Sequence, residues 1–463
     1  MLFHTWVFLA FFLIVYPVYL VFRKTRFMNL WLLAASYVFY GWWNPLYVVL
    51  IGGATLLTWV LVLLMERGAS KKPWIAAVVA VDLGLLAFLK YAGFITANLN
   101  AILAHVGLAW RVPAPDVLLP LGISFFTFQA LGYAIDVYRG VVAAERNLVR
   151  FAAFVAMFPQ LLSGPIERAG NVLPQLLSPP RVGLRDVTDG LSLFLVGLFK
   201  KVALADYFAL YVDKVYAAPG EFQAPALVLA TFAFGWQVYM DFSGYTDMAR
   251  GVARLLGFRL MLNFNNPYVA SGLGDFWNRW HISLSTWFKD YVYYSLALGG
   301  GRRGGLAANY TNMFLTMLAA GLWHGASWNF VIWGALHGVG RIVTRELERA
   351  RWYARGVPKL LKQAAVFCYV TFTWIFFRSP TFGDALTVIK RIFTSGWADP
   401  QFPALMFILI MAVWSYQYVF DGSSKLMRYI ETAPARLALV ATMLLYLAVV
   451  SQAGTRAFIY FQF

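Results

Sequence analysis

The sequence predicts an all-α protein that crosses a membrane many times. Three observations carry that expectation. Hydrophobic residues make up 61% of the chain and charged residues 13%, whereas soluble domains carry about 25% charged residues. About ten apolar stretches approach the roughly 20 residues a spanning helix needs, with short basic clusters between them. Aromatic residues reach 18%, as suits long membrane–water boundaries. A mean hydropathy of +0.64 argues against a soluble enzyme, a disordered chain, collagen or a coiled coil. With no internal repeat, linker or low-complexity tail, residues 1–463 read as one integral membrane domain.

The spans are expected at 6–22, 29–43, 46–64, 74–95, 187–207, 226–240, 311–333, 364–377, 402–420 and 437–450. The first is no cleavable signal: it lacks a basic leader and a small-residue cleavage site, and Arg23, Lys24 and Arg26 follow it. Its N-terminus is therefore expected outside the cytoplasm. Asn44-Pro45 ends the short second run. Counting 29–43 and 46–64 as two passes puts Arg23, Lys24 and Arg26 on the same side as Arg67, Lys71 and Lys72. The stretch Arg341, Arg345, Arg349, Arg351, Arg355, Lys359 and Lys362, against Glu346 and Glu348, is expected on that cytoplasmic side too. Three further passes place Lys425, Arg428 and Arg436 in the cytoplasm and leave the last residues outside. The net charge of +17 is then the positive-inside bias of a membrane protein, not a nucleic-acid footprint.

Three segments are too polar to face lipid and too apolar for solvated loops: 118–140, 154–168 and 271–294. Irregular backbone at membrane depth survives only when buried in protein or lining a wet cavity. Re-entrant or interfacial segments around a central cavity are expected. The one cysteine, Cys368, lies in an apolar run, which excludes an intrachain disulfide and points to inert packing.

Chemistry centres on the histidines. His324, in GLWHGASWNF, sits inside an expected span, and an ionisable group there is a functional candidate. Imidazole suits proton transfer near neutral pH. Trp323 and Trp328 supply indole N–H donors, and Asn329 an amide. A packing histidine is the plainer reading. His281 lies in DFWNRWHISLSTWFKDY, where Trp277, Trp280, Leu284, Trp287 and Tyr291 follow helical spacing, with Asp275, Asn278, Arg279, Ser285 and Lys289 on the other side. That pattern describes an amphipathic interfacial helix, which can still hold His281 at a cavity mouth. His337 stands roughly 20 Å beyond His324 along a continuous helix, so the two share a site only if the helix breaks. His4 and His105 read as surface or boundary residues. Asp241 and Asp247 fall at a span end, Asp241 the better placed to be buried and paired. NFNNPY reads as a turn, residues 299–305 as a flexible basic turn, with a phosphate cradle as the second reading. No cluster has metal-ligand spacing, and no nucleophile elbow, P-loop or dinucleotide fingerprint occurs. The ending FIYFQF suits interfacial anchoring; the Tyr460 phenol is also a candidate nucleophile.

At SYVFYGWW, LPLGISFFTFQ, FPQLLSGPIER, DFSGYTDMA, FNNPY, DFWNRWHISLSTWFKDYVY and NMFLTMLAAGLWHGASWNFVIWGALHG the chain resembles the membrane-bound O-acyltransferase (MBOAT) family, most closely its alginate O-acetyltransferase branch. The motifs cover most of the chain in the family's order. The resemblance implies about a dozen helices around a central funnel. It implies functional roles for His281 and His324, with His324 catalytic. It also implies that Phe458, Tyr460 and Phe463 match a motif that holds the acyl group on tyrosine. The chain is somewhat shorter than alginate-system members, and its Gly-rich turn differs.

The expected function is an acyl relay across a bacterial inner membrane. A cytoplasmic thioester donor, acetyl-CoA or an acyl carrier protein, meets the site. His324 acts as general base on a hydroxyl, such as that of Tyr460, while tryptophan or asparagine N–H groups stabilise the oxyanion. Asp241, Trp323, Trp328, Asn329, Trp280 and Arg279 are the expected substrate-binding residues, with no resident cofactor or metal. A periplasmic acetyltransferase partner then moves acetyl to a polysaccharide such as alginate. D-alanyl transfer to teichoic acid is the alternative within the family. A transporter with His324 as proton relay, and a subunit that only docks a soluble enzyme, are the alternatives outside it. The 341–362 face reads either as a dock for the donor or as ordinary positive-inside charge.

Overall fold

A computed structural model describes residues 1–115, 120–178, 181–299, 305–398, 403–422, 428–430, 432–450 and 458–459. All regular structure among them is helical. Leu46–Arg67, Lys72–His105 and Lys359–Arg378 are long and apolar enough to cross a membrane, and Trp6–Phe22, Ala404–Val419 and Ala433–Val449 are shorter apolar helices. This is the expected polytopic all-α architecture. The chain forms two compact units, one of residues 1–194 and 246–261, the other of 195–245 and 262–463.

In the first unit the helices Trp6–Phe22, Met28–Gly41 and Leu46–Arg67 match the expected spans closely. The fourth continues beyond its expected end, through a π-helical turn at Ala87–Tyr91, to His105. Of the segments expected at 118–140 and 154–168, residues 120–138 and 154–168 are buried or half-buried inside protein, which accounts for their polarity. Ile123–Tyr138 is a helix with few exposed residues, and residues 151–167 are buried throughout. Gln129 and Gln160 both donate to Phe154 O, at 3.2 and 2.8 Å, and Ser36 Oγ accepts from Phe158 N at 3.0 Å. Each bond gives a buried polar group the partner that lipid would deny it.

The second unit departs from expectation at three places. The apolar run at 226–240 does not end at Asp241; it belongs to a 32-residue helix, Ala224–Leu255, of which residues 224–245 lie in this unit. The expected single span at 311–333 is two helices, Leu306–His324 and Trp328–Arg349, joined by Gly325-Ala326-Ser327. Ser327 caps the second helix, its Oγ accepting from Asn329 N at 3.3 Å. The pair is antiparallel: Arg345 donates to Asn309 at 3.0 Å and Tyr310 to Glu346, near the open end. Glycine makes the crossing tight, since a Cβ on Gly321 would lie 2.3 Å from Phe330 O and 2.9 Å from Gly334 Cα. Finally, the expected amphipathic helix at 275–291 is broken at His281. Leu273–Arg279 and Ile282–Trp287 are separate short helices, followed by a π-helical turn at Phe288–Tyr293. Its aromatic face is buried in protein: Trp277, Trp280, Trp287 and Tyr291 are each under 10% exposed. NFNNPY is a turn as expected, with Asn266 at φ 44° before a 3₁₀ turn.

Cys368 is a further correction, because it lies on the exposed face of the Lys359–Arg378 helix rather than in packing.

Candidate active site

His281 occupies the break between its two short helices with φ 42° and ψ 54°. A left-handed conformation costs an ordinary residue roughly 1–2 kcal/mol, and such strain persists only where the surroundings over-determine it. Those surroundings are the 263–264 segment. Ile282 N donates to Asn263 O at 2.8 Å, and Ser283 N and Oγ donate to Asn263 Oδ1 at 3.2 and 2.9 Å. His281 Nδ1 lies 3.1 Å from the same Oδ1. An amide oxygen only accepts, so Nδ1 carries the ring proton and Nε2 is the basic nitrogen. The ring is fully buried and stands edge-on to Phe242, centroids 4.7 Å apart.

His324 closes the Leu306–His324 helix at the tip of the hairpin and is 4% exposed. Trp323, Trp333 and Phe377 surround its ring, with centroids at 5.0, 4.9 and 5.2 Å. Trp323 also lies 6.0 Å from the His281 ring. One indole thus touches both histidines, which stand 43 positions apart in the chain. His337 is a core histidine bonded to Thr373 Oγ1 at 2.9 Å. Because the helix breaks, the distance expected along a continuous helix does not apply. Trp333 lies against His337 at 4.5 Å as well as against His324.

A cavity of about 490 Å³ opens between the 273–293 segment and the hairpin. Arg341, Arg345 and Lys289 line it with cations and Glu348 with a carboxylate; Ser285, Thr286, Tyr293 and Thr316 are among its hydroxyls, and Ala320 is part of its apolar wall. Ala320 is one helical turn, about 6 Å, from His324 on the same face.

The other expected site residues separate into those near the histidines and those engaged elsewhere. Asp241 is 2% exposed and paired with Lys201 Nζ at 2.8 Å, and its Oδ2 accepts from Ile459 N at 2.7 Å. Trp280 is a core residue against Phe264, Phe276 and Trp374. Arg279 forms ion pairs with Asp275 and Asp421, both at 2.7 Å. Asn329 donates to Ser379 O at 2.9 Å, which ties the hairpin tip to the end of the Lys359–Arg378 helix. Trp328 is exposed. Tyr460 lies outside the described residues, as do Lys425, Phe463 and most of the basic turn at 299–305. Among the described residues no group of three or more histidine, cysteine or carboxylate side chains is placed to hold a metal.

Sequence reasoning missed Lys201, Asn263, Phe242, Trp333 and Phe377. Lys201 alone had left a signal: LFLVGLFKKVALA places two lysines inside an apolar run.

The model of the membrane-bound O-acyltransferase family matches residues 143–380. A probable alginate O-acetylase AlgI of Pseudomonas putida is 40% identical, over 86% of this chain and 81% of that protein. A peptidoglycan O-acetyltransferase of Helicobacter pylori is 33% identical over 80% and 74%. A teichoic acid D-alanyltransferase of Streptococcus thermophilus is 30% identical over 48% and 56%.

Proposed function

The chain belongs to the membrane-bound O-acyltransferase family, and on that premise we propose that it relays acetyl groups from a cytoplasmic thioester to a polysaccharide outside the inner membrane. The donor occupies the cavity below Arg341 and Arg345. These cations and Lys289 suit the phosphates of acetyl-CoA or of a carrier-bound pantetheine. The hydroxyls of Ser285 and Thr316 suit its amide arm, and the thioester reaches the wall at Ala320.

His324 is the general base. It takes the proton of an acceptor hydroxyl as the oxygen attacks the thioester carbonyl. The tetrahedral intermediate collapses, the carbon–sulfur bond breaks, and the thiolate takes the proton back from the imidazolium. An ester and a free thiol result. General-base action supplies on the order of 10²–10⁴-fold. His281, its ring proton committed to Asn263, is the second imidazole of the site. The Tyr460 phenol is the candidate first acceptor, and a second transfer by a periplasmic acetyltransferase then delivers acetyl to the polymer.

The observation that carries this reading is the shared contact of His281 and His324 with Trp323. The similarity to alginate and peptidoglycan O-acetylating proteins supports acetyl as the group and a surface polysaccharide as the destination. The test is intact-protein mass spectrometry after supply of acetyl-CoA or an acetylated carrier protein, with any adduct mapped to a residue. An acetyl adduct that chases onto polymer supports the relay. An adduct that forms only when a D-alanylated carrier protein is supplied in place of the acetyl donors, or D-alanine on the polymer, supports the teichoic acid reading instead.

A further inference from the structure

Asp241 and Lys201 are both buried, at 2% and 3% exposure. Removing two charges from water costs so much that an apolar pair of similar volume is commonly as stable or more so. Stability alone therefore does not account for the pair, and its geometry points elsewhere. Lys201 stands in a π-helical stretch, Lys200–Ala205, and bridges Asp206 and Asp241, each at 2.8 Å. A Cβ on Gly244 would lie 2.7 Å from Gly197 O and 3.1 Å from Lys201 N, so glycine lets this stretch approach the Asp241 helix closely. The Asp241 carboxylate then divides its oxygens: Oδ1 faces the ammonium, and Oδ2 accepts the backbone N–H of Ile459.

That backbone bond fixes a second element. Phe458 is fully buried, with its ring 5.5 Å from Phe242 and 4.8 Å from Tyr245. Tyr245 is one helical turn beyond Asp241, so carboxylate and phenol share a face. Phe242 carries the contact onward, because its ring is also the one that meets His281 at 4.7 Å. The Phe458–Ile459 segment is thus held at its backbone by a charge and at its side chain by a ring that touches a site histidine.

We infer that Asp241, oriented by Lys201, is a positioning residue for acyl transfer: it fastens the Phe458–Ile459 segment against Phe242, the ring that packs on His281. The fastening stands on the geometry alone; its role in transfer rests on the acyl-relay reading.

The test uses the full chain, purified in detergent, with Cys368→Ser and Ile459→Cys. N-ethylmaleimide labelling of position 459 reports release of the segment. Asp241→Leu with Lys201→Met replaces the pair by apolar side chains, a change commonly tolerated, and removes the acceptor for the 459 N–H; Asp206, the other partner of Lys201, keeps partial solvent access, and a thermal midpoint near the parent's checks the fold. Labelling is expected to rise about tenfold or more, and kcat for acetyl transfer to fall about tenfold with the donor KM unchanged, since a lost positioning contact acts on the transition state. Asp241→Asn and Lys201→Met alone give intermediate labelling. Labelling of the double variant as slow as in the parent overturns the fastening. Fast labelling with the parent's kcat overturns the positioning role. A parent that transfers no acetyl refutes the acyl-relay reading and with it the positioning role, while labelling still decides the fastening.

Discussion

The Nδ1 atom of His281 lies 3.1 Å from Asn263 Oδ1, in a residue whose backbone occupies the left-handed region. Ring orientation, tautomer and helix break are one local arrangement. His281→Asn separates fold from chemistry, because asparagine tolerates the left-handed conformation well. The variant is expected to accumulate in the membrane as the parent does and to lose about 10²-fold or more in acetyl transfer. Asn263→Ala leaves the imidazole in place without its anchor and is expected to cost about tenfold in kcat. Steady-state kinetics on both variants, alongside their thermal midpoints, check this; parental kcat in His281→Asn contradicts it.

The hairpin crossing admits no side chain at Gly321 or Gly334. Gly334→Val should separate the helices, at a cost of about 1–3 kcal/mol, the range for overpacking a core. The loss is read as a lower thermal midpoint in detergent. Activity should fall with it, because His324 closes the helix that Gly334 faces.

Charge reversal at Arg341 and Arg345 decides what the basic cavity does. If it holds the donor's phosphates, Arg341→Glu with Arg345→Glu raises donor KM about tenfold or more and leaves kcat near the parent's, the pattern of lost uniform binding. An unchanged KM assigns these residues to positive-inside charge alone.

Cys368 on an exposed face of an apolar spanning helix should meet lipid. In sealed vesicles a lipid-soluble maleimide is expected to label it slowly, and a sulfonated, impermeant one not at all from either side. Rapid labelling by the impermeant reagent places this face in water.

Much of this was legible in the sequence, and the misses have physical reasons. The spans at 6–22 and 46–64 were readable because a lipid-facing helix needs only length and apolarity. The hairpin at 306–349 was not, because its two helices are apolar where they meet and Gly325-Ala326-Ser327 is a short interruption in an otherwise continuous run at 311–333. Helical spacing from Trp277 to Tyr291 was real, yet it ran across a break, since one left-handed residue at His281 leaves the aromatic pattern intact. The burial and pairing of Asp241 were anticipated from its place beside an apolar run. Its partner was not, because nothing local joins Asp241 to Lys201, 40 positions earlier, or to Ile459. His324 and His281 stood out singly as histidines in apolar surroundings; that one indole would touch both is a property of the fold.

The central claim is that the His324 imidazole moves the proton of acyl transfer, and one measurement addresses it most directly. Cells carrying His324→Ala, with membrane abundance matched to the parent, are assayed for acetyl on their surface polysaccharide. The account predicts that acetylation is lost while protein level and insertion are unchanged. Parental acetylation in that strain would contradict it.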